Sequence, residues 1–393
     1  MGTYKKVKLT DIADINPKTS FENLEPSTEV SFIPMQSVSE EGRIIDYQVK
    51  QFDEVKKGYT SFVENDILLA KITPCMENGK RAIATNLKNG IGFGSTEFHV
   101  IRPKESVIPK YLFYFISQDR FRKLAEQNMT GSAGQKRVPA TFLKSISLYI
   151  PPLDIQRKII YILDKAQELI DKRKAQIEAL DQLTQSVFLE MFGNLKGEKV
   201  PLSELCDVNP SKKEIENIDK ELPVTFLPMA NVSENGELDL SETRLIKEVF
   251  DGFTYFREGD VLFAKITPCM ENGKGAIASN LINNIGFGST EFHVLRPKEN
   301  VNSTWLYYLT SLQSFRKQAE ANMTGSAGQK RVPKQFFSKY KVVLPPIELQ
   351  NQFAEIVHKI QSQKEIMKKS LEELENNFNS LMQRAFKGEM FND

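Results

Sequence analysis

KITPCMENGKRAIATNLKNGIGFGSTEFHV (71–100) decides the architecture, because it returns as KITPCMENGKGAIASNLINNIGFGSTEFHV (265–294) with four of thirty positions changed. Outward from it, NMTGSAGQKRVP (128–139) recurs unchanged at 322–333, so both repeats share an offset of 194 residues. Asp14-Ile15-Asn16-Pro17 is echoed by Asp207-Val208-Asn209-Pro210, and Ile33-Pro34-Met35 by Leu227-Pro228-Met229. Solenoid repeats have periods of about 20–50 residues, so this much longer period means two homologous domains in tandem.

Each half divides again. The stretches 1–150 and 196–344 carry short β-like runs, such as Asp66-Ile67-Leu68-Leu69-Ala70 and Phe98-His99-Val100-Ile101, separated by Gly- and Asn-rich turns. One helix is expected over 109–127 and its counterpart over 303–321. The stretches 151–195 and 345–393 read as long helices. Pro151-Pro152 and Pro345-Pro346 precede them, neither Pro nor Gly interrupts 154–192, and Gly193 is a natural stop. Ile159, Ile162, Ala166, Leu169, Leu180, Leu183 and Val187 fall at heptad spacing, as do Phe353, Ile356, Ile360, Met367, Leu374 and Leu381. Arg173 and Gln176 interrupt the first seam, and Gln363, Ser370 and Asn377 the second. Such spacing predicts a coiled coil, a rod of about 58 Å. A lone heptad helix suggests a homodimer. Two in one chain let the second return antiparallel to the first, so that the seams close internally. The expected fold is therefore α+β, with two similar domains joined by two antiparallel helices about an approximate two-fold axis.

Composition narrows the function. A net charge of +1 on 393 residues excludes a histone-like binder but not local basic patches. Three scattered cysteines, Cys75, Cys206 and Cys269, argue against a disulfide framework or structural zinc and fit a reducing cytoplasm. The start of the chain lacks the apolar core of a signal peptide, and no apolar run is long enough to predict a membrane helix.

No catalytic centre is expected. Thr73-Pro74-Cys75-Met76-Glu77 lacks the second cysteine and the H-x-E of a zinc deaminase. Gly131-Ser132-Ala133-Gly134-Gln135-Lys136 misses the phosphate-loop spacing. Asn16-Pro17-Lys18-Thr19 and Asn209-Pro210-Ser211-Lys212 lack the second proline and the aromatic with which an adenine methyltransferase holds a flipped base. His99 and His293, each in an apolar strand, read as hydrogen-bonded structural residues, and Cys75 and Cys269 as packing residues. What remains is polar, glycine-hinged and basic. One segment offers Lys71, Thr73, Asn78, Lys80 and Arg81, repeated without the arginine as Lys265, Thr267, Asn272 and Lys274. The other offers Thr130, Ser132, Gln135, Lys136 and Arg137, repeated as Thr324, Ser326, Gln329, Lys330 and Arg331. Lys and Arg neutralise phosphates, Asn, Gln and Arg read base edges, and glycine N–H groups approach a backbone closely. These residues are the candidate DNA contacts. Their copying contrasts with the drift between 42–63 and 236–257.

The strings KITPCMENGK, GFGSTEFHV and TGSAGQKRVP, followed by PPLDIQRKIIYILDKAQELIDKRK, resemble the specificity subunits of type I restriction–modification enzymes over almost the whole chain. The resemblance implies that each globular part is a target-recognition domain for one half of a bipartite DNA site. It implies that the helices fix the spacing between half-sites. It also implies that methyltransferase subunits, two in number, and restriction subunits dock on this chain. S-adenosylmethionine, ATP and Mg would belong to those partners, with no cofactor or metal on this chain. The copied segments lead one to expect inverted, partly alike half-sites. Two rival readings are the specificity chain of a type II enzyme and a non-DNA coiled-coil scaffold bearing two binding modules.

Overall fold

The structure, a computed structural model, describes residues 4–21, 23–132, 134–326 and 328–391. The chain forms two compact units, 1–174 with 369–393, and 175–368. Each is α+β, and each repeats the other's strand order.

In the first unit, Ala13–Ile15, Phe98–Pro103, Ile67–Ala70 and Arg81–Ile83 form one antiparallel sheet in that spatial order. Gln48–Gln51, Glu29–Ile33, Ile91–Gly94 and Thr60–Val63 form a second, whose central pair is parallel. In the second unit, Cys206–Val208, Phe292–Pro297, Val261–Ala264 and Gly275–Ile277 make the first sheet. Thr243–Leu245, Pro223–Leu227, Ile285–Gly288 and Thr254–Arg257 make the other. The copied Gly-Phe-Gly string has a packing cause. A Cβ on Gly92 would stand 2.0 Å from the Phe62 ring, and one on Gly286 2.1 Å from the Phe256 ring. Both phenylalanines are fully buried, so only glycine fits beneath them.

The helix expected over 109–127 is two, Pro109–Ser117 and Asp119–Gln127, because Gln118 is extended (φ −64°, ψ 137°). Its counterpart breaks likewise at Leu312, between Ser303–Ser311 and Gln313–Ala321. Neither break has the proline or glycine that would announce it.

The long helices span Leu153–Phe192 and Ile347–Phe386, as the prolines and Gly193 predict. Each contributes one half to each unit. Inside the first unit, Lys174 pairs with Glu375 at 2.8 Å, while Ile159 and Leu163 join Met382, Ala385 and Phe386 in one core. Inside the second, Asp181 pairs with Lys364 and Phe188 packs on Phe353. The paired halves are antiparallel in both.

The heptad reading of the first helix needs correction. Leu169 and Leu183 are 53% and 47% exposed, whereas Leu163, Ile170, Thr184 and Phe188 are buried. Each half-helix packs on its own globular part as well as on the other helix, so the buried stripe follows the 3.6-residue period of a domain helix. In the second helix Gln363 and Asn377 are exposed; the polar residue buried in the seam is Lys364.

One glutamine per unit ties the start of a long helix to its globular part. Gln156 accepts from the Ile108 N–H at 2.9 Å and donates to the Pro151 carbonyl at 2.9 Å. Gln350 does the same with Asn302 (2.8 Å) and Pro345 (2.8 Å).

Candidate nucleic-acid interface

Backbone pairing brings the two polar segments of each unit together. Thr73 N–H donates to the Lys136 carbonyl at 3.0 Å, and Val138 N–H to the Lys71 carbonyl at 2.8 Å. Thr130 and Arg137 exchange N–H···O bonds of 2.9 and 2.8 Å, which closes the loop between them. The second unit repeats this, with Thr267 on Lys330 at 3.0 Å, Val332 on Lys265 at 2.9 Å, and Thr324 exchanging with Arg331. Gly131 and Gly134 take φ of 124° and 79°, which only glycine adopts cheaply, and Gly325 and Gly328 match them. Ala133 and Ala327 lie outside the described residues.

Two further contacts fix the loop. Arg137 grips Glu97 with two bonds of 2.9 and 2.8 Å, and its Nη1 donates to the Gln135 carbonyl. That bidentate pair holds the Glu97 carboxyl below its ordinary range. Arg331 and Glu291 form the same pair at 2.9 and 2.8 Å, with the same effect on Glu291. His99 Nε2 donates to the Val138 carbonyl at 2.8 Å, so Nδ1 accepts from Asn16 Nδ2 at 3.0 Å. Asn16 Oδ1 meanwhile accepts from Val100 N–H, which explains the echo of Asn16 in Asn209. Burial pushes the His99 pKa down, and that of His293 to about 4. The histidines are structural, as the sequence suggests. Glu97 and Glu291 were missed, although both lie inside the copied string.

The candidate residues then divide. Thr73 and Thr267 hydroxyls donate to Glu77 and Glu271 at 2.6 Å. Lys80 and Lys274 ammonium groups donate to the Met35 and Met229 carbonyls at 3.3 and 3.1 Å. Asn78 donates to Glu40 at 2.8 Å. Arg81 is partly buried against Ser117 and the Gly79 carbonyl, and burial followed by the charge of Arg122 pulls its pKa down to about 10. Among the described residues, Lys136, Lys330, Ser132, Ser326 and Asn272 stand exposed with no hydrogen bond or ion pair from their side chains. Gln135, Gln329, Thr130 and Thr324 are likewise open, and engage the fold only through backbone. Lys71 and Lys265 flank them, and burial lowers the pKa of Lys265. Each unit thus presents a braced loop whose tip carries a free ammonium, an amide and hydroxyls. Such a set meets phosphates and base edges. Among the described residues there is no cluster suited to a metal ion, and no helix is long and apolar enough to cross a membrane.

The chain is similar to known proteins. The EcoAI specificity subunit of a type I restriction enzyme from Escherichia coli is 44% identical over 185 residues, which are 46% of this chain and 31% of that protein. The EcoEI specificity subunit, also from Escherichia coli, is 38% identical over 203 residues, covering 50% of this chain and 34% of the relative. These matches span about a third of the relatives' length. A chain from a solved structure concerned with assembly and conformational transition of a type I R-M system superposes with a TM-score of 0.61 at 18% identity, covering 98% of this chain and 97% of its own. That likeness establishes the fold. The type I restriction modification DNA specificity domain matches twice, at residues 1–180 and 194–376, and the chain belongs to that family.

Proposed function

We propose that the chain selects the DNA target of a type I restriction–modification enzyme, each unit binding one half of a bipartite site. The carrying observation is the braced loop present in both units, with Lys136 and Gln135 open in one and Lys330 and Gln329 in the other. The chain acts without catalysis of its own. Methyltransferase subunits, two per chain, bring S-adenosylmethionine and perform base flipping and adenine methylation. Restriction subunits bring ATP and Mg for cleavage. The assembly works in the cytoplasm.

Two measurements test this reading. Methylome sequencing of a host expressing the full system is expected to return a bipartite site whose halves share bases, because the loops are copies. Lys136→Ala and Lys330→Ala are each expected to lower the salt slope of DNA binding by about one, about equally across sequences. Loops whose lysines leave the slope unchanged are not the DNA face.

A further inference from the structure

In the second unit, one arginine holds the turn 267–274 from the helix side. Arg316 is 6% exposed. Its Nη1 donates to the carbonyls of Met270 (2.9 Å) and Lys274 (3.3 Å), its Nη2 to that of Gly273 (3.1 Å) and its Nε to that of Thr310 (2.8 Å). Its guanidinium rests on the Phe263 ring, 4.4 Å from the centroid. These bonds join the turn to the break between the two helices 303–311 and 313–321. Position 275, directly after the turn, is glycine. A Cβ there would lie 3.2 Å from Arg316 Nη2 and 2.7 Å from the Leu262 carbonyl, so the missing side chain leaves the guanidinium its room.

The first unit makes the same joint from the strand side. Arg81 occupies the position of Gly275. Its Nη1 donates to the Gly79 carbonyl at 2.6 Å and the Glu40 carbonyl at 3.3 Å, and its Nε to Ser117 Oγ at 2.6 Å, at the end of the helix 109–117. It packs on Phe113, 5.4 Å from the centroid. Arg122, the counterpart of Arg316, is left outside. It pairs with Asp119 at 2.8 Å, its side chain 39% exposed, with Nη1 3.2 Å from where a Cβ on Gly79 would stand. The second unit has Gln313 where Asp119 stands. Two positions therefore change together, Arg81 for Gly275 and Asp119 for Gln313, and with them the shared arginine shifts, Arg122 displaced where Arg316 is buried.

We propose that one guanidinium per domain positions this turn, supplied by Arg81 in the first unit and Arg316 in the second, and that Arg122, so released, is a phosphate-contacting cation which the second domain lacks. The second clause rests on the DNA-facing reading above. Arg122 adjoins the turn bearing Lys80, on the helix that leads into the loop 130–137. The joint itself is independent of that reading.

The test uses the full chain copurified with its native methyltransferase partner, and a duplex carrying the methylated site. The variants are Arg81→Gly, Arg122→Ala and the double substitution. Arg81→Gly recreates the glycine of the second unit, so Arg122 is expected to fold into the joint. Melting temperature should then hold close to the parent in both single variants and fall in the double one. Because Arg81→Gly and the double variant share the glycine, its intrinsic cost cancels. The salt slope of binding is expected to drop by about one in all three, since each loses the same surface cation. An Arg81→Gly variant as unstable as the double one overturns the exchange. An unchanged slope in Arg122→Ala overturns the phosphate contact. If Lys136→Ala still lowers the slope, only the Arg122 assignment falls; if it does not, the DNA-facing reading falls with it, while the melting series still judges the joint.

Discussion

Acidification through the range below neutrality is expected to weaken the second unit through one side chain. His293 is 4% exposed, donates from Nε2 to the Val332 carbonyl at 2.8 Å and accepts at Nδ1 from Asn209 at 3.1 Å. Burial is the largest influence on it, and Lys265 and Lys334 add to it, against the opposing Val332 carbonyl and Glu291. The ring's pKa lies at about 4 instead of 6.5. The folded state therefore takes up this proton less readily than the unfolded chain. The neutral ring's contribution is complete above pH 6.5, declines as pH falls from 6.5 towards 4, and changes no further below that. A difference of about 2.5 units at about 1.36 kcal/mol each amounts to about 3 kcal/mol. For a unit of this size, about 2–4 °C per kcal/mol translates that into a fall of about 6–12 °C in Tm.

Carboxylates titrate in the same window, so the assay must isolate the ring. Thermal denaturation across the range is compared between the parent and His293→Gln, which carries no titrating proton. The parent's curve should fall more steeply by the stated amount, whatever the absolute stability of the variant. Proton NMR of the three histidines gives a second reading, with the His293 ring midpoint near pH 4. Parallel stability curves, or a His293 midpoint at the ordinary value, would refute the claim that burial of the neutral ring braces the loop.

Two further outcomes concern the helices. Lys364 is 3% exposed, and its ammonium meets Asp181 at 2.7 and 3.0 Å. Asp181→Ala strands that charge and is expected to cost about 2 kcal/mol, less than a fully buried pair because Asp181 is partly open, while Lys364→Met should stay within about 1 kcal/mol of the parent; chemical denaturation ranks the two, and the opposite order would refute the reasoning. Removing one heptad from each long helix shortens it by about 10 Å, roughly three base pairs of duplex. An active variant should methylate sites with a changed spacer, and an unchanged spacer would show that helix length does not set it.

The elements were legible where a local signal was strong. Pro151-Pro152 and Gly193 bound the first long helix because proline suits a helix start and a glycine suits its end. Its buried face was less legible. A heptad count assumes that one helix is the only neighbour, and here the sheet-bearing part competes for the same stripe, burying Leu163 while Leu169 turns outward. The break at Gln118 was not legible at all. It recurs at Leu312, where Gly275 makes no bond like the one from Arg81 to Ser117, so that tertiary bond does not account for it.

The candidate site shows why an internal repeat is an ambiguous signal. Copying persists for two physical reasons, and the sequence does not separate them. Gly92, Lys80, Glu97, Arg137 and His99 each have a described partner inside their unit, and each partner recurs in the second unit. Packing alone accounts for their repetition, so they carry little information about a ligand. The open tips differ: Gln135 and Lys136, with Gln329 and Lys330, repeat although their side chains meet no described partner. Solvated surface residues are the ones most free to drift, as the exposed pair Lys88 and Ile282 has done. Their persistence therefore calls for something outside the fold, and the proposed contact of each unit with DNA would supply it. Where the copies differ, the reasoning reverses. Arg81 against Gly275 looks like a lost DNA contact in sequence, yet in three dimensions it is one guanidinium site filled from two directions.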